Sequence, residues 1–164
     1  MPKKPKIPKN NKYFAYTNPN PEEKHTIDCT VRAISIAFGI SWYDAYDLLA
    51  TAGRMTHTIM DSKESIHYIM DKTECTRVTF AAKKGTKRPT LRTVAKQLPN
   101  ETIIGQLSHH IACMVNGITR DVWDSSDRPL YTYWVIEPRN KEKIKNLQNE
   151  WELNKKTDLL YKLL

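Results

Sequence analysis

The residue in this sequence best suited to nucleophilic chemistry is a cysteine at the start of an apolar run. Cys29 follows Asp28, and six of the nine positions from Thr30 to Phe38 are apolar. A thiol in the first turn of a helix lies at the positive pole of the helix dipole, which favours the thiolate. An inert core cysteine can have the same placement, because free cysteine is among the most buried residue types. Cys29 by itself therefore leaves both interpretations open.

A base and an orienting acid for this thiol could come from a hairpin in the second half of the chain. Asn116-Gly117 separates two runs rich in β-branched residues, and this dipeptide is the strongest short signal for a two-residue hairpin turn. Side chains alternate along a strand, and directly opposed residues share a face. Pairing outward from the turn therefore predicts that His110, Asp121 and Trp123 project from one face.

A histidine held by a carboxylate is the partner that a thiol nucleophile needs. The imidazole of His110 would take the thiol proton, while Asp121 would fix the tautomer and stabilise the positive ring. Trp123 would cover the bond between them. The pairing also puts His109 on the other face, opposite Asp124, and a bulge would exchange the two sets. The alternative is a hairpin that carries two surface histidines and scattered acids.

Several segments together resemble the papain-like cysteine peptidases, in which a helix-borne cysteine precedes a histidine on one strand and an acid or amide on the next. Asp121-Val122-Trp123 is similar to the Asn-x-Trp element of that superfamily, with aspartate in place of asparagine. The likeness is greatest to small cysteine-peptidase-like proteins of phage and bacterial genomes, and it covers residues 13–136. The segments that carry it are Asn18-Pro19-Asn20-Pro21, 28–34, 109–112, 116–117 and 121–125.

This resemblance implies a role for each matching residue. Cys29 matches the nucleophile, His110 the base and Asp121 the orienting acid. It implies a thiol-dependent hydrolase, a cysteine peptidase or isopeptidase, that needs no cofactor and no metal. The substrate would be a protein or peptide, and a host protein in the host cytoplasm if the chain is phage-encoded.

The oxyanion donor is where the sequence departs from the family pattern. The family places a glutamine about six residues before the cysteine to stabilise the oxyanion. This chain has Glu23 there, and an ionised carboxylate cannot donate a hydrogen bond. Asn20 is the predicted substitute, its amide joining the Cys29 backbone amide, and Asn18 comes second. Asp28 is expected to cap the helix, which would turn its charge away from the thiol.

Two other functions stay open at this point. An acyltransferase, of the kind that transglutaminases represent, would use the same acyl-enzyme with an amine in place of water. A catalytically silent papain-like binding protein, such as a phage inhibitor of a host defence, would keep the fold without the reactivity. The reactivity of Cys29 relative to Cys75 and Cys113 would discriminate between these functions. Cys113 is expected in the core, Cys75 in a loop, and His25 and His57 on the surface.

The distribution of charge bounds the choice of partners. The net charge of +8 comes entirely from the two ends of the 164-residue chain, with +5 in residues 1–12 and +3 in residues 139–164. A neutral middle argues against a basic nucleic-acid-binding face, so only weak contact through the tails is expected. No apolar run reaches the ~20 residues of a membrane span. Three cysteines at spacings that suit neither zinc nor disulfides indicate a reducing cytoplasm.

The elements that must hold the site follow an α+β pattern, with helices first and strands after them. We expect a disordered basic tail over 1–12, a papain-like domain over 13–138 and an amphipathic C-terminal helix over 139–164. In the domain, N-terminal helices, with the Cys29 helix among them, should pack on a C-terminal antiparallel sheet. The predicted helices cover 28–39, 41–53, 61–71, 90–98 and 139–164, and the predicted strands cover 76–81, 101–107, 109–115, 118–123 and 130–136.

Overall fold

The apolar helix that begins at Cys29 forms and is buried. In the computed structural model, which describes residues 3–164, α1 spans Cys29–Phe38. Gly39 ends the helix in the left-handed conformation, with φ of 66°, and its amide donates to the Ser35 carbonyl. Glycine adopts this conformation without steric cost, so the predicted C-terminus is confirmed. Every side chain of α1 is buried except those of Cys29 and Ile36, which are half-buried.

Apart from the first strand, which was not among the predicted strands, the remaining elements agree with the prediction in kind and differ by a few residues at their ends. The structure is α+β, as predicted. Over residues 3–164, the elements in chain order are β1 (Phe14–Tyr16), α1, α2 (Trp42–Thr56), α3 (Lys63–Lys72), β2 (Thr76–Thr79), α4 (Leu91–Gln97), β3 (Thr102–Leu107), β4 (His110–Val115), β5 (Ile118–Asp121), β6 (Leu130–Val135) and α5 (Pro138–Leu163).

Gly53 was expected to end α2, but the helix continues for three more residues. It ends at Thr56, and His57 takes the left-handed cap position with φ of 56°. Gly53 is buried, and a Cβ built there would lie 3.0 Å from the Thr58 carbonyl oxygen and from the Met60 amide nitrogen. The glycine therefore serves a close approach of the following loop to the helix, and the prediction of a C-cap was wrong.

The sheet is mixed rather than antiparallel, which corrects the prediction. Its strand order is β1-β5-β4-β3-β6-β2. β1 lies at one edge and runs parallel to β5, with Phe14 opposite Thr119, whereas all other neighbours are antiparallel. The sequence predicts no strand before α1, because that segment contains no hairpin turn that would reveal a strand partner. Its parallel pairing is set by tertiary packing.

The hairpin between β4 and β5 has the predicted register. Cys113 pairs with Arg120 and Val115 with Ile118. Asn116 and Gly117 both have positive φ, as a two-residue hairpin turn with the twist of its strands requires. The pairing with β4 ends earlier than predicted, at Arg120, and β5 ends at Asp121, whose side chain accepts a hydrogen bond from the Val122 amide that would continue the ladder.

Two apolar cores lie on opposite faces of the sheet. The larger one joins α1, α2, α3 and α5 to one face, with Ile104, Cys113 and Trp134 among the sheet residues that contribute to it. The smaller one packs Leu91 and Val94 of α4 against the other face. α1 therefore lies directly against β4, the strand that carries His110 at its first position.

The C-terminal helix is anchored by its first half. Ile144, Leu147 and Trp151 are buried on one face of α5, as predicted. Asn140 is fully buried, and its amide donates to the carbonyls of Thr73 and Glu74. Every side chain from residue 152 to 164 is exposed. The helix is therefore docked on the domain only as far as Trp151.

The N-terminal segment contributes contacts from its last residues. Asn10 accepts a hydrogen bond from the Tyr16 amide, and Asn11 donates to Asp124. Residues 1 and 2 of the basic tail expected over 1–12 lie outside the described residues. No helix within residues 3–164 is long and apolar enough to cross a membrane.

Candidate active site

The thiol of Cys29 lies at the start of α1 and faces the beginning of β4. Burial acts to raise the pKa of this thiol, but hydrogen bonds with His110 and with the Ile111 backbone, together with the charge of His110, outweigh it. The pKa of Cys29 therefore lies below its ordinary value, which favours the thiolate. The two partners are consecutive residues at the start of the strand against which α1 packs.

His110 lies between the thiol and a carboxylate. Its Nε2 is 2.5 Å from Oδ2 of Asp121, which leaves Nδ1 as the ring nitrogen available to Cys29. Burial acts to lower the pKa of His110, but hydrogen bonds with Asp121 and Cys29 and the negative charges of both raise it to about 9. The ring of Trp123 packs against the imidazole with centroids 4.7 Å apart, as the hairpin pairing predicted.

Asp121 is the acid that contacts the histidine, and Asp124 is not. The Asp121 side chain is 3% exposed and accepts hydrogen bonds from the Val122 amide and from the Ser125 hydroxyl. Asp124 instead pairs with Arg92, and burial, which acts to raise its pKa, is outweighed by hydrogen bonds from Ser126 and Asn11. The two carboxylates that the sequence left as alternatives therefore lie in different surroundings.

His109 lies outside the strand. It occupies the turn between β3 and β4 with φ of 53° and is exposed, so β4 begins one residue later than predicted. Its side chain lines the cavity beside Cys29, whereas Asp124 pairs with Arg92.

Asp28 does not cap α1, which contradicts the expectation from sequence. It holds the N-cap position, yet its side chain makes no hydrogen bond to the first-turn amides. The carboxylate instead accepts from Arg32, from Trp42 Nε1 at 2.9 Å and from Asn20 Nδ2 at 3.2 Å. Asp28 is buried, and these three side-chain donors compensate its charge better than backbone amides alone would.

The predicted oxyanion donors lie on the segment that leads into α1. Asn20 is buried beside Asp28 and donates to it, while its own oxygen accepts from the Glu22 and Lys24 amides. Asn18 donates to the Lys24 carbonyl. Asn20 is therefore close to the N-terminus of α1, and its role as an oxyanion donor stays a prediction.

Two concave regions meet at His110. One is a cavity of about 410 Å³ on the side of Cys29, with Ile66 and Gln106 in its wall and Asp61 at its rim. The other, of about 260 Å³, lies on the side of Trp123 and includes Arg128. His110 lines both, so the Cys29–His110 pair is situated where two parts of an extended ligand could meet.

Cys75, Cys113, His25 and His57 lie apart from this site. Cys113 is fully buried in the larger core, where burial raises its pKa to about 12. Burial likewise raises the pKa of Cys75. His25 and His57 are exposed, as predicted. Among residues 3–164, no group of three or more His, Cys, Asp or Glu side chains is arranged to hold a metal ion.

Arg32 and Ser125 also contact the site, although the sequence assigned them no role. Arg32 reaches both Asp28 and Asp121, and Ser125 donates to Asp121. An arginine within an otherwise apolar helix is a signal for a buried charge partner that could have been recognised. Nothing in the sequence distinguishes Ser125 from the hydroxyls around it.

Comparison of the chain with family models, with curated proteins and with solved structures finds no match. The fold and the site define an α+β protein in which a histidine bound to an aspartate shares a cavity with a cysteine at the end of a sheet.

Proposed function

We propose that this protein is a papain-like cysteine hydrolase that cleaves a peptide or isopeptide bond through an acyl-enzyme on Cys29. The observation that carries the proposal is that Cys29 and His110 line the same cavity, with His110 Nε2 held 2.5 Å from Asp121, where two cavities meet. A positioned base with an orienting acid beside a thiol is the arrangement that nucleophilic catalysis requires.

The first half of the reaction forms the acyl-enzyme. The proton of the Cys29 thiol moves to His110, and the thiolate attacks the carbonyl carbon of the substrate. The tetrahedral intermediate collapses as the imidazolium donates its proton to the leaving amine, which departs. Asp121 keeps the ring oriented and balances its positive charge throughout.

The second half of the reaction restores the enzyme. Neutral His110 takes a proton from water, and the resulting hydroxide attacks the thioester carbonyl. The carbon–sulfur bond breaks, the acid product leaves, and the proton on His110 returns the thiolate–imidazolium pair. An amine in place of water would give acyl transfer by the same steps, and this remains the alternative within the same chemistry.

The first turn of α1 supports the proposal electrostatically. Because the Asp28 side chain makes no hydrogen bond there, it does not occupy the first-turn amides. Backbone amides at a helix N-terminus stabilise negative charge, both on a thiolate and on an oxyanion. The Cys29 amide is therefore the first proposed oxyanion donor, with Asn20 as the second.

Selective alkylation tests the proposal without knowledge of the substrate. The protein is treated with limiting iodoacetamide at pH 6, and each cysteine is quantified by peptide mass spectrometry. We expect Cys29 to react at least ~10-fold faster than Cys75, because the thiolate is the reactive form. Cys75 is the internal control, since it is half-buried like Cys29.

Two variants and an acyl donor complete the test. His110→Ala should reduce the Cys29 rate to that of Cys75, whereas His57→Ala, at an exposed position, should not change it. p-Nitrophenyl acetate should acetylate Cys29, and added amines would reveal acyl transfer. If Cys29 reacts no faster than Cys75 and His110→Ala has no effect, the enzyme proposal is wrong and the binding-protein alternative is favoured.

A further inference from the structure

Arg32 is a charged residue in a helix whose other buried side chains are mostly apolar. Its side chain is 4% exposed and lies one turn after Cys29. Arginine is almost never fully buried unless it is paired. The position therefore indicates a partner that keeps the guanidinium inside the protein.

The partners of Arg32 are the two carboxylates on either side of the site. Nη1 donates to Oδ1 of Asp28 and, at 3.3 Å, to the Thr26 carbonyl. Nη2 donates to Oδ1 of Asp121 at 3.1 Å. Both carboxylates are buried. One guanidinium thus joins the residue before the nucleophile to the acid that holds the base.

We propose that Arg32 is a positioning residue of this site, which fixes Asp121 against His110 and turns the charge of Asp28 away from Cys29. The inference rests on the proposed function and adds to it the device that orients the catalytic groups. Arg32 contacts neither the thiol nor the imidazole in the structure, so it acts through the two aspartates.

The two carboxylate oxygens of Asp121 have different partners, which supports this role. Oδ1 accepts from Arg32 and from the Val122 amide, while Oδ2 accepts from Ser125 and contacts His110. With donors on both oxygens, the carboxylate cannot rotate without breaking them. The planar guanidinium is suited to this purpose, because its fork holds two acceptors in a set geometry.

The orientation of Asp28 supports the other half of the inference. A carboxylate next to a nucleophilic thiol opposes thiolate formation by charge repulsion. The oxygens of Asp28 are engaged by Arg32, Trp42 and Asn20, and none of them accepts from the first-turn amides. Arg32 supplies the only positive charge among these three donors, so it offsets the charge of Asp28 near Cys29.

Other charged groups also surround the pair, but they differ in exposure. Asp61, Lys63 and His109 line the cavity beside Cys29 and His110, and Arg128 lies over the ring of Trp123. All four side chains are exposed to solvent. Water and salt screen exposed charges, whereas the buried Asp28–Arg32–Asp121 group is screened much less.

The test compares two variants that break one ion pair from opposite ends. Arg32→Met leaves the charge of Asp28 next to Cys29 without its cation, so the rise of the Cys29 alkylation rate at low pH, the acid limb of the profile, should move to higher pH by about one unit. Asp28→Asn removes a neighbouring anion, so the limb should move to lower pH. A purely structural ion pair predicts that both variants loosen the site and shift the limb in the same direction, or not at all.

Arg32→Lys keeps the charge but not the fork, and its limb should lie between those of the wild type and Arg32→Met. If Arg32→Met does not fold, Arg32→Lys and Asp28→Asn are compared instead. The inference is overturned if their acid limbs move in the same direction or do not move. The proposed function fails separately, if Cys29 of the wild type shows no dependence on His110. If Cys29 depends on His110 but the acid limb of its alkylation profile does not move in the Arg32 and Asp28 variants, only the role of Arg32 is refuted.

Discussion

At the scale of single residues, Cys29 and His110 displace each other's pKa in opposite directions. The pKa of the thiol is lowered and that of the imidazole is raised to about 9, although burial opposes both changes. Each charged form stabilises the other, and Asp121 adds a buried negative charge beside the ring. The pair is therefore expected to exist as thiolate and imidazolium over a range of pH, rather than as neutral thiol and neutral ring.

This charge pair predicts a two-step pH profile for alkylation of Cys29 by iodoacetamide. As pH rises through the lowered pKa of the Cys29 thiol, the thiolate forms and the alkylation rate should rise for the first time. This first step should lie below the ordinary pKa of a thiol. The imidazolium is lost as pH rises through about 9, so a second rise should occur there, when the thiolate loses its partner. The measurement is the alkylation rate at Cys29 between pH 4 and pH 11.

His110→Gln provides the comparison for that profile. Without the imidazole, only the hydrogen bonds with the Ile111 backbone and with Thr30 oppose the effect of burial on the pKa of the thiol, so a single step at higher pH than in the wild type is expected. A wild-type profile with one step at or above the ordinary thiol value would contradict the pair.

At the scale of elements, the site depends on how α1 meets the start of β4. α1 is buried, and it packs against the strand that carries His110 and Ile111. The hairpin register was predictable from Asn116-Gly117, because a two-residue turn dictates which residues face each other. The length of β5 was not, because the hydrogen bond from the Val122 amide to the Asp121 side chain ends the ladder.

The contact between α2 and the loop that follows it gives a prediction at this scale. Helix propensity alone predicts that Gly53→Ala stabilises the protein by about 1 kcal/mol. We expect the opposite, a loss of about 1–2 kcal/mol, because the new Cβ would lie 3.0 Å from backbone atoms of Thr58 and Met60. Urea unfolding followed by circular dichroism measures the sign, and a more stable variant would show that the loop moves away at little cost.

At the scale of the whole molecule, the sheet separates two cores and the C-terminal helix closes the larger one. Trp151 is the last buried residue of α5 and stacks on Tyr68 of α3 with ring centroids 6.3 Å apart. Beyond it the helix extends into solvent with exposed leucines at positions 153, 159, 160, 163 and 164. The stabilising contribution of α5 therefore ends near Trp151.

This arrangement predicts a contrast between a point substitution and a deletion. Trp151→Ala should cost about 3–5 kcal/mol of the free energy of unfolding, because it removes a buried indole from the core. Deletion of residues 152–164 should change that free energy by less than about 0.5 kcal/mol, because all of their side chains are exposed. Thermal and urea unfolding of the two proteins would test this, and a large loss on deletion would show that the exposed half packs in solution.

The sequence by itself determined the features that depend on neighbours in the chain. The apolar run after Cys29 predicts a buried helix, Gly39 predicts its end, and the turn at Asn116-Gly117 predicts which side chains share a face. The sequence therefore predicted that His110, Asp121 and Trp123 share a face, because a hairpin is local and the side chains of its strands alternate between the two faces.

Only the tertiary structure decided the features that depend on distant parts of the chain. These are the parallel pairing of β1, the choice between Asp121 and Asp124, and the orientation of Asp28. Capping is the local preference of an aspartate at the N-cap, but the Asp28 carboxylate instead accepts from Arg32 one turn on and from Trp42 once α1 and α2 pack together. The Asp28–Arg32 pair follows helical spacing and could have been read from the sequence. The contacts of these residues with Trp42, Asn20 and Asp121 join distant parts of the chain, so spacing did not reveal them.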